Sequence, residues 1–254
     1  MKLQNKVIVI TGAASGMGLA MTHLFLDEGA NVICGDWNQT RLKSLVDELT
    51  ALGKPIVGKW GNIAIRSDAE ALIEVAIKQY GKIDVLVNNA GVMDHLGGVD
   101  EIDDQTWNRV LGVNLNGPMY ATRKAIQSML ESGTGSIINI ASTAAFHGAV
   151  AGVAYTTSKH ALLGFTKNTA WMYAQKGIRC NAICPGATIT NIQETMPENL
   201  ISSLGRERLI PCHQLAPAQL EAVDIAKLAL FFASDESRMI NGAIVAADGG
   251  WGVI

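Results

Sequence analysis

The chain has 254 residues, 48% of them hydrophobic and 17% charged, enough apolar surface for a compact core and too much for a disordered chain. With 20 Lys and Arg against 23 Asp and Glu, the net charge of −3 offers no field for nucleic acid or an anionic membrane surface. The apolar run near the amino terminus is too short for a membrane span or a signal peptide, so a single cytoplasmic domain is expected.

Short β-branched runs at 6–11, 31–35, 55–57, 83–88, 135–140, 177–184 and 243–246 read as strands, separated by longer stretches of helical period. This alternation predicts a parallel sheet covered on both faces, an α/β, Rossmann-like doubly wound domain. In the first helix, expected over 16–28, Met17, Ala20, Met21, Leu24 and Phe25 form one apolar stripe that packs on the sheet. Ser67 and Glu70 have the spacing of a capping box, which predicts a helix from there to Tyr80, stopped by Gly81. Trp107, Trp171 and Tyr173 fall on helices and are assigned to packing or subunit contacts. The stretch 188–215, punctuated by Pro197, Gly205 and Pro211, predicts an irregular insertion, and its portion 189–211 is the candidate substrate lid. Cys34, Cys180, Cys184 and Cys212 lack C-x-x-C spacing and read as reduced thiols in or near the core.

The first strand runs into Thr11-Gly12-Ala13-Ala14-Ser15-Gly16-Met17-Gly18 and then the first helix. Glycines there let the backbone turn tightly and approach a pyrophosphate, which the free N–H groups and positive dipole end of the helix stabilise. Asp36, 18 residues beyond Gly18 at the end of the second strand, is placed to accept hydrogen bonds from an adenosine ribose, and its charge opposes a 2′-phosphate. NAD is therefore the expected cofactor, no Lys or Arg standing at 13–18, 37 or 38 to hold an extra phosphate. A turn aspartate before Asn38 is the purely structural alternative.

Together, Thr11-Gly-x-x-x-Gly-x-Gly18, Asn88-Asn89-Ala90-Gly91, Asn114, Ser142, Tyr155-x-x-x-Lys159, Pro185-Gly186 with Thr190, and Asp248-Gly249-Gly250 resemble the classical short-chain dehydrogenase/reductases in order and spacing. The glycine spacing is unlike that of the extended branch of epimerases and dehydratases. The resemblance implies a sheet of order 3-2-1-4-5-6-7 and a homotetramer built on the two long helices beginning near Asp104 and Tyr155. An apolar face with Ala161, Phe165, Ala170 and Trp171 can serve it, and the tail 251–254 can dock on a neighbour.

The chemistry can be argued beside the resemblance. Tyr155 and Lys159 lie one helical turn apart, so the ammonium is expected to sit near the phenol and lower its pKa towards working pH. Hydride transfer at a carbinol carbon leaves a proton to be handled, a task for Tyr155. Ser142 follows a strand of a parallel sheet, where ligand-contacting residues are presented. By resemblance its hydroxyl holds the substrate oxygen, Lys159 also binds the nicotinamide ribose, and Asn114 supports a proton relay through water to Lys159. The cofactor would further meet Gly12, Ser15, Gly16, Met17 and Gly18; Asn88, Asn89, Ala90 and Gly91; and Pro185, Gly186, Thr188 and Thr190. Asn62, with Ile63, stands where the family often has Asp for the adenine amino group, and its carbonyl can accept the same bond. The family's usual arginine near the lid's end is missing from the run Pro211 to Pro217. His95 and His147 are candidate pocket-rim residues, and no third ligand accompanies them for a metal.

The expected activity is thus reversible NAD-linked hydride transfer between a secondary alcohol and its ketone. The alternatives are a 3-oxoacyl-thioester reductase of the same family, which Asp36 and the absence of a basic run oppose, and a non-catalytic NAD-sensing protein. A sensor needs the glycine turn but has no use for Tyr155 and Lys159.

Overall fold

β1 (Val7–Thr11) is buried at all five positions, as a strand covered on both faces must be. Burial is nearly as complete in β2 (Asn31–Asp36), β4 (Val85–Asn88), β5 (Gly135–Ile140) and β6 (Ile178–Pro185). The two remaining strands, β3 (Ile56–Trp60) and β7 (Ile244–Ala247), are more exposed because they form the edges. The computed structural model describes residues 1–196 and 201–253 and arranges these strands in the order β3-β2-β1-β4-β5-β6-β7, all parallel. The expected order is therefore correct, and each expected strand lies within a few residues of the observed one.

Alternate residues of one strand feed two different layers. Ile8 and Ile10 join the core beneath α1 (Gly16–Asp27), α2 (Gln39–Ala51) and α8 (Ala222–Ala233), which includes Met21, Phe25, Leu42, Leu45 and Phe232. Val7 and Val9 point the other way, onto α3 (Arg66–Tyr80), α5 (Gly117–Ser132) and α6 (Val153–Tyr173). Between β4 and α5 lie a short helix, α4 (Asp104–Leu111), and a π-helical turn at Gly112–Asn116. No described helix is long and apolar enough to cross a membrane.

The structure corrects two local expectations. Ser67 and Glu70 form no capping box: α3 starts at Arg66 with Ile65 as its cap, because Glu70 is drawn into an ion pair with Arg66 at 2.7 Å. The acid near that helix start is Asp68, which accepts the Asn62 N–H at 2.9 Å. The stretch 188–215 is not wholly irregular either, since Ser203–His213 forms α7, with Ser202 capping the Gly205 N–H and Pro211 tolerated in the last turn. Of the lid expectation, residues 197–200 lie outside those described. The cysteines are free thiols as expected, three of them buried, and burial pushes Cys34 and Cys180 up to about 12.

Phe25 is fully buried in the layer beneath α1 and α8. Its replacement by Ala leaves a ring-sized cavity between packed helices, and Phe25→Ala is expected to lower stability by about 3–5 kcal/mol. Urea unfolding measures this as a lower midpoint at unchanged slope.

Candidate active site

Because β1 pairs with β2 on one side and β4 on the other, the chain leaves the sheet in opposite directions from neighbouring strand ends, which opens a crevice there. The glycine turn at 12–18 forms one wall. A Cβ on Gly18 would overlap the Gly12 carbonyl oxygen, so only glycine lets α1 begin this close to the turn. The cap residue of α1, Ser15, is extended and makes no side-chain capping bond, and the first turn carries no acidic residue. The leading N–H groups of α1 thus have no side-chain partner and fit an anionic pyrophosphate. Met17 instead packs partly into the core, and Thr190 stands against Gly16, its Cβ 3.2 Å from where a Gly16 side chain would begin.

The turn is fastened from both neighbours. Asp36, buried at the end of β2, accepts the Ala14 N–H at 2.9 Å through one carboxylate oxygen and the Asn38 N–H at 2.8 Å through the other. It thus makes the Asn38 contact of a turn aspartate and also ties the end of β2 to the glycine turn. From β4, Asn89 donates its side-chain amide to the carbonyls of Thr11 and Gly12, while the Thr11 hydroxyl accepts the N–H groups of Asn89 and Ala90 at 3.0 Å. Asn88 does not close over the crevice as expected. Its side chain is buried between Thr122 and Asn139, with its own carbonyl oxygen unpartnered. Asn62 commits its carbonyl to the Ala64 N–H, and Ile63 packs against Gly117 at the start of α5.

Beyond Gly91 the expected catalytic residues converge. A Cβ built on Gly91 would lie 3.6 Å from Asn114 Oδ1 and 3.7 Å from Lys159 Nζ, so both line one small space. Asn114 belongs to the π-helical turn, a feature that re-aims side chains at functional sites. Its amide brackets Val92, accepting the N–H at 2.9 Å and donating to the carbonyl at 3.0 Å, and also donates to Ser158. Lys159 Nζ donates to the Ile140 carbonyl at the end of β5. Ser142 follows that strand, and Tyr155 projects from α6 with Lys159 Nζ 5.4 Å from its ring centre. Pro185 ends β6, Gly186 donates to Ala247, and Thr188 donates to the Gly186 carbonyl.

Burial dominates the electrostatics. Tyr155 is pushed up to about 12, chiefly by desolvation, with the Ser142 hydroxyl favouring the ionised form and the Asp94 charge opposing it. The expected lowering by Lys159 is therefore absent, because desolvation outweighs any help from the ammonium. Lys159 itself falls to about 8, its charge being disfavoured in the same dry site.

Outside these residues, a cavity of about 320 Å³ is lined by Thr143, His147, Val150, Cys212, Leu215 and Trp251 among others. Its far wall is the chain's own tail: Trp251 is 6% exposed, donates to the Cys212 carbonyl and meets His213 edge-on at 5.8 Å. Trp251 thus finds its partners on α7, while Val253 beside it in the tail is 88% exposed. Asp248 holds the bend by accepting the N–H groups of Gly250 and Gly252. His147 lines the cavity as expected, whereas His95 offers its backbone carbonyl to Ser202. Asp94 was missed in the sequence because a lone aspartate in a loop carries no distinctive spacing, and the role of Thr11, read there only as the head of the glycine motif, depends on its contacts with Asn89 and Ala90.

Comparison with known proteins identifies the family of the chain. The family described as short chain dehydrogenase matches residues 6–200. The chain is 41% identical over 250 residues to 3beta-hydroxysteroid dehydrogenase 2 of Eggerthella lenta, covering 98% of this chain and 95% of that protein. It is 40% identical over 260 residues to Asnovolin H dehydrogenase of Aspergillus novofumigatus, covering 99% of each. Among solved structures, levodione reductase superposes with a TM-score of 0.89 at 28% identity, covering 99% of both chains.

The buried ammonium carries a stability cost with a definite pH dependence. A lysine whose folded pKa is about 8 rather than 10.5 binds fewer protons folded than unfolded between those values, so its penalty is complete below about pH 8 and fades as pH rises towards 10.5. Lys159→Met is expected to be more stable than the wild type at pH 7 by about 3 kcal/mol, with the advantage shrinking above pH 8. Urea unfolding at pH 7 and pH 9.5 checks both the sign and the trend.

Proposed function

Since the chain belongs to the short chain dehydrogenase family, we propose that it is an NAD-dependent oxidoreductase that transfers a hydride between a secondary alcohol and its ketone, with Tyr155 as general acid and base. The observation that carries this reading is the convergence of Ser142, Tyr155, Lys159 and Asn114 beside the glycine turn, in a site dry enough to push the tyrosine pKa up and bring the lysine pKa down towards working pH. A pure sensor has no need of that second cluster.

In alcohol oxidation, Ser142 holds the substrate oxygen while Tyr155 accepts its proton. Lys159, near pH 8, is able to exchange protons at working pH and to pass on the one Tyr155 takes up. A bound oxidised nicotinamide supplies the hydride acceptor and a positive charge that favours phenolate. Asn114 contributes by fixing Val92, and with it the wall beyond Gly91. The cofactor would be held by the α1 N–H groups, Asp36, Asn62 and Ile63, Asn89 to Gly91, and Gly186 to Thr190.

NAD is favoured over NADP by the Asp36 carboxylate, and Arg41, one turn into α2, is already paired with Glu194. The described parts of 189–211 support the lid reading: Thr195 accepts the Met93 N–H, Ser202 donates to His95, and Ser202 also bonds Glu101. Exposed Trp171 and Met172 on α6 support association of copies through this helix, as the homotetramer requires, since a lone chain leaves both in water.

Tyr155→Phe removes one hydroxyl from a packed ring, so NAD binding by calorimetry should persist while alcohol turnover falls by about 10² to 10⁴. The screen begins with 3β-hydroxysteroids and smaller cyclic alcohols; NAD binding with no turnover across it would favour the sensor. For the cofactor, kcat/KM with NAD should exceed that with NADP, and Asp36→Ala should narrow the ratio, because a carboxylate beside a 2′-phosphate costs about 1–4 kcal/mol. Equal efficiencies in the wild type would remove Asp36 from its role.

A further inference from the structure

A buried carboxylate outside the expected constellation touches the catalytic helix. Asp94 is 0% exposed, and no cation pairs with it among the described residues. Its oxygens accept three backbone N–H groups: Leu96 at 3.1 Å, Gly152 at 3.2 Å and Tyr155 at 2.8 Å. Gly152 is the cap residue of α6 and brings no side chain to the task. Tyr155 is the third residue of the first turn, where a capping oxygen ordinarily bonds. Asp94 therefore caps the helix from 58 residues away in the chain. A Cβ on Gly152 would lie 2.5 Å from Asp94 Oδ1, so glycine there makes room for the carboxylate. The same loop donates a second cap, since Val153 N–H reaches the Gly97 carbonyl.

The loop that carries Asp94 is itself held under constraint. Leu96 adopts φ +60°, a left-handed conformation costly for leucine, fixed in part by its N–H bond to Asp94. Neighbouring Met93 and His95 bond Thr195 and Ser202, on either side of the undescribed residues of the lid segment. One carboxylate thus links the end of the 88–91 segment, the lid contacts and the backbone of Tyr155.

We propose that Asp94 is a positioning residue that fixes the start of the catalytic helix, setting a buried carboxylate against the backbone of Tyr155 and so tuning the acid–base function of that residue. This inference rests on the assignment of Tyr155 as acid and base. The groups facing Tyr155 are Ser142 after β5, Cys184 on β6, Lys159 on the same helix and Asp94; Asp248 lies beyond Cys184. Of these, Asp94 is the acid whose charge bears on the phenol.

The test is Asp94→Asn, which keeps the shape and removes the charge. In the full-length protein at about pH 10.5, the tyrosinate absorbance belonging to Tyr155, obtained by subtracting the Tyr155→Phe variant in each background, should rise several-fold, matching a fall of about one pH unit in its midpoint. The rising limb of alcohol oxidation against pH should move down by a similar amount. A merely structural cap would change stability and leave both positions unmoved, and that result overturns the proposal. Should Asp94→Asn fail to fold, Asp94→Ala with Gly152→Ser supplies a neutral cap in the space vacated. Its melting temperature should recover while the tyrosinate midpoint stays low; recovery with a wild-type midpoint refutes the role of the charge. The absorbance arm needs no substrate, so a failed alcohol screen would count against the proposed activity and leave this reading separately decidable.

Discussion

The parallel pairing of β1 with β4 is the constraint on which the site depends. It sets Ile10 beside Val87, which brings the turn after one strand against the segment after the other. The Asn89 amide and Thr11 hydroxyl then fasten the two together with bonds that no other strand order would permit. Everything functional follows from this edge: α1 starts there, Asp36 reaches it from β2, and Ser142 and Pro185 arrive at it from β5 and β6. A sheet of mixed direction would scatter the same residues over both ends.

The second organising fact is dryness. Tyr155 and Lys159 sit where water is excluded, and exclusion moves their proton affinities in opposite senses, the phenol up and the ammonium down. Reasoning from a Tyr–Lys spacing alone weighs the attraction of a cation for a phenolate and omits the larger cost of holding either charge in a low-dielectric wall. The site therefore keeps both groups neutral more readily than water would, and responds strongly to any charge brought into it. Such a response would suit the proposed hydride transfer, because the charge state of what is bound would bear on whether the phenol gives or takes a proton.

Much of this was legible in the sequence for identifiable reasons. Buried parallel strands are apolar at most positions, so β1, β2, β4, β5 and β6 announced themselves, and Gly18 marked a close approach that only a missing side chain allows. What stayed hidden depends on partners distant in the chain. Nothing near Asn88 shows an interior bonded to Thr122 and Asn139, and nothing near Asp94 shows a helix start 58 residues on, whereas the Arg66–Glu70 pair is a local competitor that the capping-box reading left unweighed. The helix Ser203–His213 was obscured by Pro211, which reads as a breaker yet sits in a last turn where little is lost.

The wall formed by Trp251 separates two kinds of inheritance in this molecule. The surfaces around the cavity come from the 146–150 loop, α7 and the tail after β7, none of which carries a strand pairing of the sheet. Changes there alter the shape offered to a substrate while the register that positions the reacting groups is left alone. Such an arrangement is evolvable: substrate preference can drift by single steps without passing through an unfolded or inactive ancestor. Proteins of this architecture can accordingly bear names as unlike as hydroxysteroid dehydrogenase and levodione reductase while their backbones superpose almost throughout.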